Sequence, residues 1–259
     1  MLVIHRPGPL LSPFVEAIWQ YEGQHIHHNH HTERVLPNGR FQIIINVASG
    51  RAAVVGLRSA STLIRPTAIQ SAIGVVFQPG GARRFFREPA SDFYNTTVPL
   101  DDLSGNSRFS RLADRVTCAT YVEARMQVIE AMLLAMIGHP KHRPLHPAIE
   151  YALRQFRHAP NVATVVGVSR QVGLSRRWLA QTFNQQIGMT PKKYCRLMRF
   201  RSIVRHIASN GTVDWAATAV AGGYYDQAHL AHEFRQFSGM TPSSYLAAER
   251  PYPNHVRVQ

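Results

Sequence analysis

The sequence predicts an α+β chain of two domains. The amino-terminal part is expected to be β-rich, a small barrel or sandwich followed by helices, and the carboxy-terminal part all-α. Three observations carry that expectation. Short apolar runs separated by Gly and Pro turns fill residues 1–104, and helix-compatible spacing takes over from Ser107. A two-helix unit between Thr164 and Tyr245 occurs twice, and both copies close on Gly-Met-Thr-Pro, at 188–191 and 239–242. The charge is lopsided: residues 1–140 hold 13 Lys/Arg against 10 Asp/Glu, and residues 141–259 hold 16 against 5.

Composition narrows the classes. A chain of 259 residues with 45% hydrophobic content suits two modest packed cores. No run approaches the ~18 uncharged apolar residues of a membrane span, and no basic start leads into an apolar run. A soluble cytoplasmic protein is therefore expected. Cys118 and Cys195 are the only cysteines, too few for a disulfide framework or a four-cysteine zinc site. Paired carboxylates, a P-loop and a Gly-x-Ser-x-Gly elbow are all missing from the sequence, so neither an enzyme nor a cofactor is expected.

In the amino-terminal part, the turn signal Pro37-Asn38-Gly39 precedes the apolar run 41–47. Residues 52–57 and 72–77 read as further strands; Pro79-Gly80-Gly81 ends the last, and 82–87 reads as a short helix. Residues 105–139 form a helical linker or dimerisation segment. There Thr120-x-x-Glu123 has the pattern of a capping box, opening a helix through Ile137. Val122, Met126, Ile129, Leu133 and Met136 line one face of it, to serve the chain's own core or a dimer-forming helix pair. The Pro-containing stretch His139-Pro140-Lys141-His142-Arg143-Pro144 marks the domain boundary. His25, His27, His28, His30 and His31 crowd one loop. Imidazole suits Zn, Ni, Cu and Fe, so this segment reads either as a weak metal-site candidate in a sensor or as a polar loop.

The repeat carries the chemistry. Thr164 and Asp214 have the side chains of helix N-caps, whose oxygens accept from free first-turn N–H groups. Each opens a helix of about two turns, ended by Gly173 or Gly223. Ser175 and Asp226 cap a second helix, so the units span about 164–187 and 214–237. The first caps differ by 50 positions and the second by 51, which puts the extra residue in the turn. Helix, tight Gly turn and second helix make a helix-turn-helix, whose second helix enters the DNA major groove.

Leu179 and Phe183, like Leu230 and Phe234, sit four apart and should face inward. Outside remain Arg176, Arg177, Ala180 and Gln181 on the first recognition helix, and Gln227, Ala228, Ala231 and His232 on the second. Arg and Gln pair bidentately with guanine and adenine edges, and Ala permits approach to a thymine methyl. These are the candidate base readers. Ser175, Asn184, Lys192, Lys193, Arg196 and Arg235 are candidates for phosphate contacts, which position the protein without specifying sequence. His229-Leu-Ala-His232-Glu233 also looks like a metallo-hydrolase fragment, but it lies on a recognition helix and lacks a third ligand.

The second unit reads Gly223-Tyr224-Tyr225-Asp226-Gln227-Ala228-His229-Leu230, then Phe234, then Gly239-Met240-Thr241-Pro242-Ser243-Ser244-Tyr245. These residues resemble the AraC/XylS family of transcription regulators, over residues 145–248. Two positions depart from the family pattern: Ser169 replaces a usual Ala, and Thr218 a usual aliphatic residue. The motifs Glu33-Arg34-Val35-Leu36-Pro37-Asn38-Gly39-Arg40 and Phe77-Gln78-Pro79-Gly80-Gly81 resemble the amino-terminal domains of one AraC-type subgroup. The resemblance implies a sequence-specific regulator whose residues 1–104 bind an effector or mediate dimerisation. The expected partners are double-stranded DNA, RNA polymerase, an unidentified small-molecule effector and a second copy of the chain, with no membrane.

Overall fold

The computed structural model describes every residue except 24–31, 66–70, 104–108, 110, 138–143, 210, 211, 253 and 259. The His-rich segment (His25, His27, His28, His30 and His31) and most of the proline linker lie outside the described residues.

The strands are β1 (Leu2–His5), β2 (Val15–Glu22), β3 (Thr32–Val35), β4 (Gln42–Asn46), β5 (Ala52–Val55), β6 (Thr62–Ile64), β7 (Ser71–Phe77), β8 (Thr97–Pro99) and β9 (His255–Val258). They form a six-stranded sheet in the order β1-β2-β7-β4-β5-β8 and a three-stranded sheet in the order β6-β3-β9. Every pairing is antiparallel. Tyr21 meets Tyr252 edge-on at 6.1 Å where the sheets approach.

Register explains the core. Ile18 pairs with Val75, and Val75 with Ile43; Ile73 pairs with Ile45. Paired residues share a face, and all five are fully buried. Helix α1 (Leu112–Cys118) packs beside α2 (Val122–Ile137), which also touches β2. Met126, Ile129, Leu133 and Met136 are buried within the chain itself. These residues of the stripe belong to the chain's own core cluster. The short helix expected over 82–87 is a single 3-10 turn, Gly81–Arg84.

The carboxy-terminal half is helical: α3 (Pro147–His158), α4 (Val165–Gln171), α5 (Arg176–Ile187), α6 (Pro191–Ser209), α7 (Trp215–Ala221), α8 (Gln227–Ser238) and α9 (Pro242–Ala247). Phe183 sits between Phe156 at 5.8 Å and Tyr194 at 5.5 Å. Its repeat partner Phe234 sits between Phe200 at 5.0 Å and Tyr245 at 5.6 Å. Aromatic rings buried in this way contribute about 3–5 kcal/mol each on truncation to Ala, which anchors both second helices to the helices around them. No helix among the described residues is long and apolar enough to cross a membrane.

Candidate nucleic-acid interface

Each unit is held by its caps. Thr164 Oγ1 accepts from Gly167 N–H at 3.0 Å, and Asp214 Oδ1 accepts from Ala216 and Ala217 at 3.0 and 3.1 Å. The turns follow at Gly173 (φ 67°) and Gly223 (φ 74°), in the left-handed region that Gly adopts without steric cost. Ser175 Oγ then accepts from Trp178 N–H at 3.1 Å, and Asp226 Oδ1 from His229 N–H at 2.7 Å. Both second helices stop at a left-handed Gly, Gly188 and Gly239. Ser169 and Thr218, the two positions noted above for their unusual residues, are buried and bonded locally. Ser169 donates to the Val166 carbonyl at 2.9 Å, and Thr218 Oγ1 lies 3.5 Å from His206 Nε2.

Helix α5 exposes Arg176, Arg177 and Gln181, with Ala180 and Asn184 half-buried beside them. On α8, Gln227, Ala228, His232 and Arg235 are exposed and Ala231 is half-buried. The opposite faces, Leu179, Phe183 and Ile187 against Leu230, Phe234 and Phe237, are buried. Trp178 is half-buried, packed against the edge of the core and against the His146 ring at 4.7 Å, so it braces the start of α3.

The 19 residues of α6 connect the units. At ~1.5 Å rise that is a rod of about 28 Å, close to the ~34 Å between successive major-groove faces. The units also touch directly: Asn161, just before α4, donates to the Ala221 carbonyl at 3.2 Å. A side chain at Gly223 would collide with the Asn161 carbonyl at 2.8 Å.

The candidate phosphate contacts differ in their surroundings. Lys192 and Arg235 are exposed. The Lys193 ammonium lies 5.0 Å over the Tyr94 ring and 3.3 Å from its hydroxyl. Arg196 is engaged inside the helical domain: its Nε is 2.6 Å from Glu233 Oε2, and its Nη2 donates to Gln236 Oε1 at 2.5 Å. Ser175 spends its hydroxyl on capping.

Three features escaped the spacing argument. Glu233 is 2% exposed and faces inward, toward Arg196 and toward Arg199 at 3.6 Å. It is an ion-pair anchor rather than part of a metal fragment. Among the described residues, no three His, Cys, Asp or Glu side chains are grouped to hold a metal ion. Tyr225 (89% exposed) and His229 stand at the amino-terminal end of α8, the end that meets bases in this motif. The Asp226 cap places His229 in the first helical turn, the one signal that could have found it.

Burial raises the Tyr224 phenol above its ordinary value, and the Glu233 carboxylate adds to the shift. The Arg199 guanidinium lies 5.2 Å over the Tyr224 ring. Between the β-rich part and α5, a cavity of about 10 Å³ borders Phe41, Phe86, Phe93 and Gln186. That is about the room one water needs.

Two family models match the chain. One, a domain of unknown function (DUF6597), covers residues 4–99; the other, a helix-turn-helix domain, covers residues 168–248. Among solved structures, the chain resembles the carboxy-terminal domain of AraT, a response regulator from Geobacillus stearothermophilus. That match has 18% identity and a TM-score of 0.38, covering 43% of this chain and 94% of the other. ToxT from Vibrio cholerae matches at 10% identity and a TM-score of 0.44, over 95% of this chain and 97% of the other. ToxT bound to an unsaturated fatty acid matches at 8% identity and a TM-score of 0.42, over 95% and 94%. No curated protein matches the chain.

Proposed function

We propose that this protein is a sequence-specific, DNA-binding transcription regulator whose residues 168–248, matched by a helix-turn-helix family model, are a DNA-reading domain of the AraC type. Helices α5 and α8 enter adjacent major grooves of one duplex. Arg176, Arg177, Ala180 and Gln181 read one half-site; Gln227, Ala228, Ala231 and His232 read the other, with His229 and Tyr225 beside them. Lys192 and Arg235 supply phosphate contacts. Residues 1–104 take up an effector or join two copies of the chain.

One observation carries this reading: two capped helix pairs, each with an apolar inner face and a polar outer face, lie on a basic half of the chain. The two outer faces differ, so the preferred site is asymmetric within one monomer's footprint. Selection from randomised duplexes with the full-length protein tests it. A bipartite enriched site is expected, with affinity falling steeply as salt rises. Equal binding to selected and random duplexes would sink the sequence-specific claim.

A further inference from the structure

The motif Arg34-Val35-Leu36-Pro37-Asn38-Gly39-Arg40-Phe41 runs along the helical domain and meets its parts in order. At one end Arg34 Nη1 donates to the Ser238 carbonyl at 3.1 Å and to Ser61 Oγ at 3.1 Å. Ser61 adds its hydroxyl to the same carbonyl at 2.9 Å and its N–H to the Phe237 carbonyl at 2.8 Å. These carbonyls belong to the last turn of α8, where a helix has unsatisfied acceptors and the negative end of its dipole. A guanidinium there is electrostatically matched.

In the middle, the Asn38 carbonyl accepts from Arg201 Nη1 of α6 at 2.7 Å. Burial and the neighbouring Arg40 pull the Arg201 guanidinium down to about 10, so it is still charged at neutral pH. Gly39 (φ 69°) lies so close to α6 that a Cβ would sit 2.9 Å from Met198 Cε. Asn38 Oδ1 closes the turn by accepting from Arg40 N–H at 3.0 Å, and Arg40 is ion-paired with Glu16.

At the far end, Phe41 and the Ala90 carbonyl press on Gly188, where a Cβ would be 3.3 and 2.7 Å away respectively. The second amino-terminal motif reinforces this end. A Cβ on Gly80 (φ 79°) would meet Leu145 at 2.5 Å and Ile187 at 3.2 Å. Both closing glycines of the repeat, Gly188 and Gly239, are thus docking points for the β-rich domain: a Cβ on Gly239 would lie 2.1 Å from Arg34 Nη1.

We propose that residues 34–41 act as a strut that fixes the separation and rotation of the two recognition helices, with Arg34 the positioning residue for the second reader. Seven residue steps reach at most about 25 Å, comparable to the ~28 Å rod of α6. The strut grips the carboxy-terminal ends of α5 and α8 and leaves their amino-terminal ends clear for bases. Displacing the strut shifts one reader relative to the other without touching either reading face. The consequence for DNA rests on the two-reader assignment above; the geometry itself does not.

The test therefore has two arms on the full chain. Spin labels at Gln185→Cys and Arg235→Cys, in a Cys118→Ser background, report the distance between α5 and α8 without DNA by pulsed electron resonance. A narrow distribution is expected, broadened by Arg34→Ala and kept narrow by Arg34→Lys. On duplexes with the selected half-sites moved apart or together by one base pair, Arg34→Ala, which removes both hydrogen bonds of this guanidinium, should reduce the spacing penalty at least roughly tenfold. Ser61→Ala repeats both arms should Arg34→Ala fail to fold. An unchanged distance distribution in a folded variant overturns the strut, and so does equal weakening at every spacing. An absent bipartite site in the wild type counts against the two-reader assignment instead, and the distance arm still decides the strut.

Discussion

The Glu233 carboxylate on α8 lies 2.6 Å from Arg196 Nε on α6, and this buried pair joins the second recognition helix to the rod that carries it. The carboxylate is almost wholly buried, whereas Arg196 is 32% exposed and still partly hydrated. Removing the acid leaves Arg196 and Arg199 facing each other without a counter-charge. Glu233→Ala should therefore destabilise the fold by about 3 kcal/mol, the lower end of the range for breaking a buried pair. Chemical denaturation measures it, and an unchanged midpoint would show that the pair contributes nothing.

Gly173 and Gly188 both adopt positive φ but differ in their neighbours. Nothing lies within 4 Å of a Cβ built on Gly173, whereas one on Gly188 would meet the Ala90 backbone at 2.7 Å. Gly173→Ala should cost about 1 kcal/mol, the conformational penalty alone. Gly188→Ala adds a backbone collision, so its loss should be at least twice as large, about 2–3 kcal/mol. Paired thermal melts of the two variants decide whether the contact with residue 90 is real.

Arg177 and Lys192 are both exposed, but one stands on the proposed reading face of α5 and the other at the start of the connecting rod. Arg177→Ala should relax base preference in one half-site by about 1–3 kcal/mol. Lys192→Ala should weaken all sequences alike and lower the salt slope by about one. Titrations on matched and mismatched duplexes at several salt concentrations separate these outcomes. A uniform loss from Arg177→Ala would remove it from the base readers.

The two thiols should react at very different rates. Cys118 is exposed, whereas Cys195 is half-buried with its sulfur 3.4 Å from the Pro160 and Ala163 carbonyls. Burial raises the Cys195 thiol above its ordinary value, which lowers its thiolate fraction at any pH near 8. Alkylation followed by mass spectrometry should modify Cys118 first and Cys195 only when the helical domain opens. Equal rates would contradict the packing of the segment before α4 against α6.

The helical half was readable because its signals are local. Caps and turns at Thr164, Gly173, Ser175, Asp214, Gly223 and Asp226 act within four residues of where they stand. The β-rich half was readable only where an apolar run is continuous, as in β4 and β7. Strand β2 escaped because the register shifts between Val15 and Ala17, which breaks its alternation. Strands β3, β6 and β9 are three or four residues long, and β3 is completed by residues more than 200 positions away. Glu233 was unreadable as an anchor for a similar reason. Its partner Arg196 lies 37 positions earlier and looked like a free phosphate contact.

Strand β9 closes the three-stranded sheet by pairing Val256 with Arg34 and His255 with Val35. The helical domain is therefore an insertion: the chain leaves the β-rich domain, builds both helix-turn-helix units and returns to it. A single cut between the halves cannot yield two self-contained pieces. A fragment starting near residue 145 would carry β9 as an orphan edge, prone to pair with other chains, and would leave β3 half-bonded in the remainder. Tethering at both ends also holds the two domains at high effective concentration. A fusion or tag placed after β9 thus loads the sheet that contains Arg34, some 220 positions earlier in the chain.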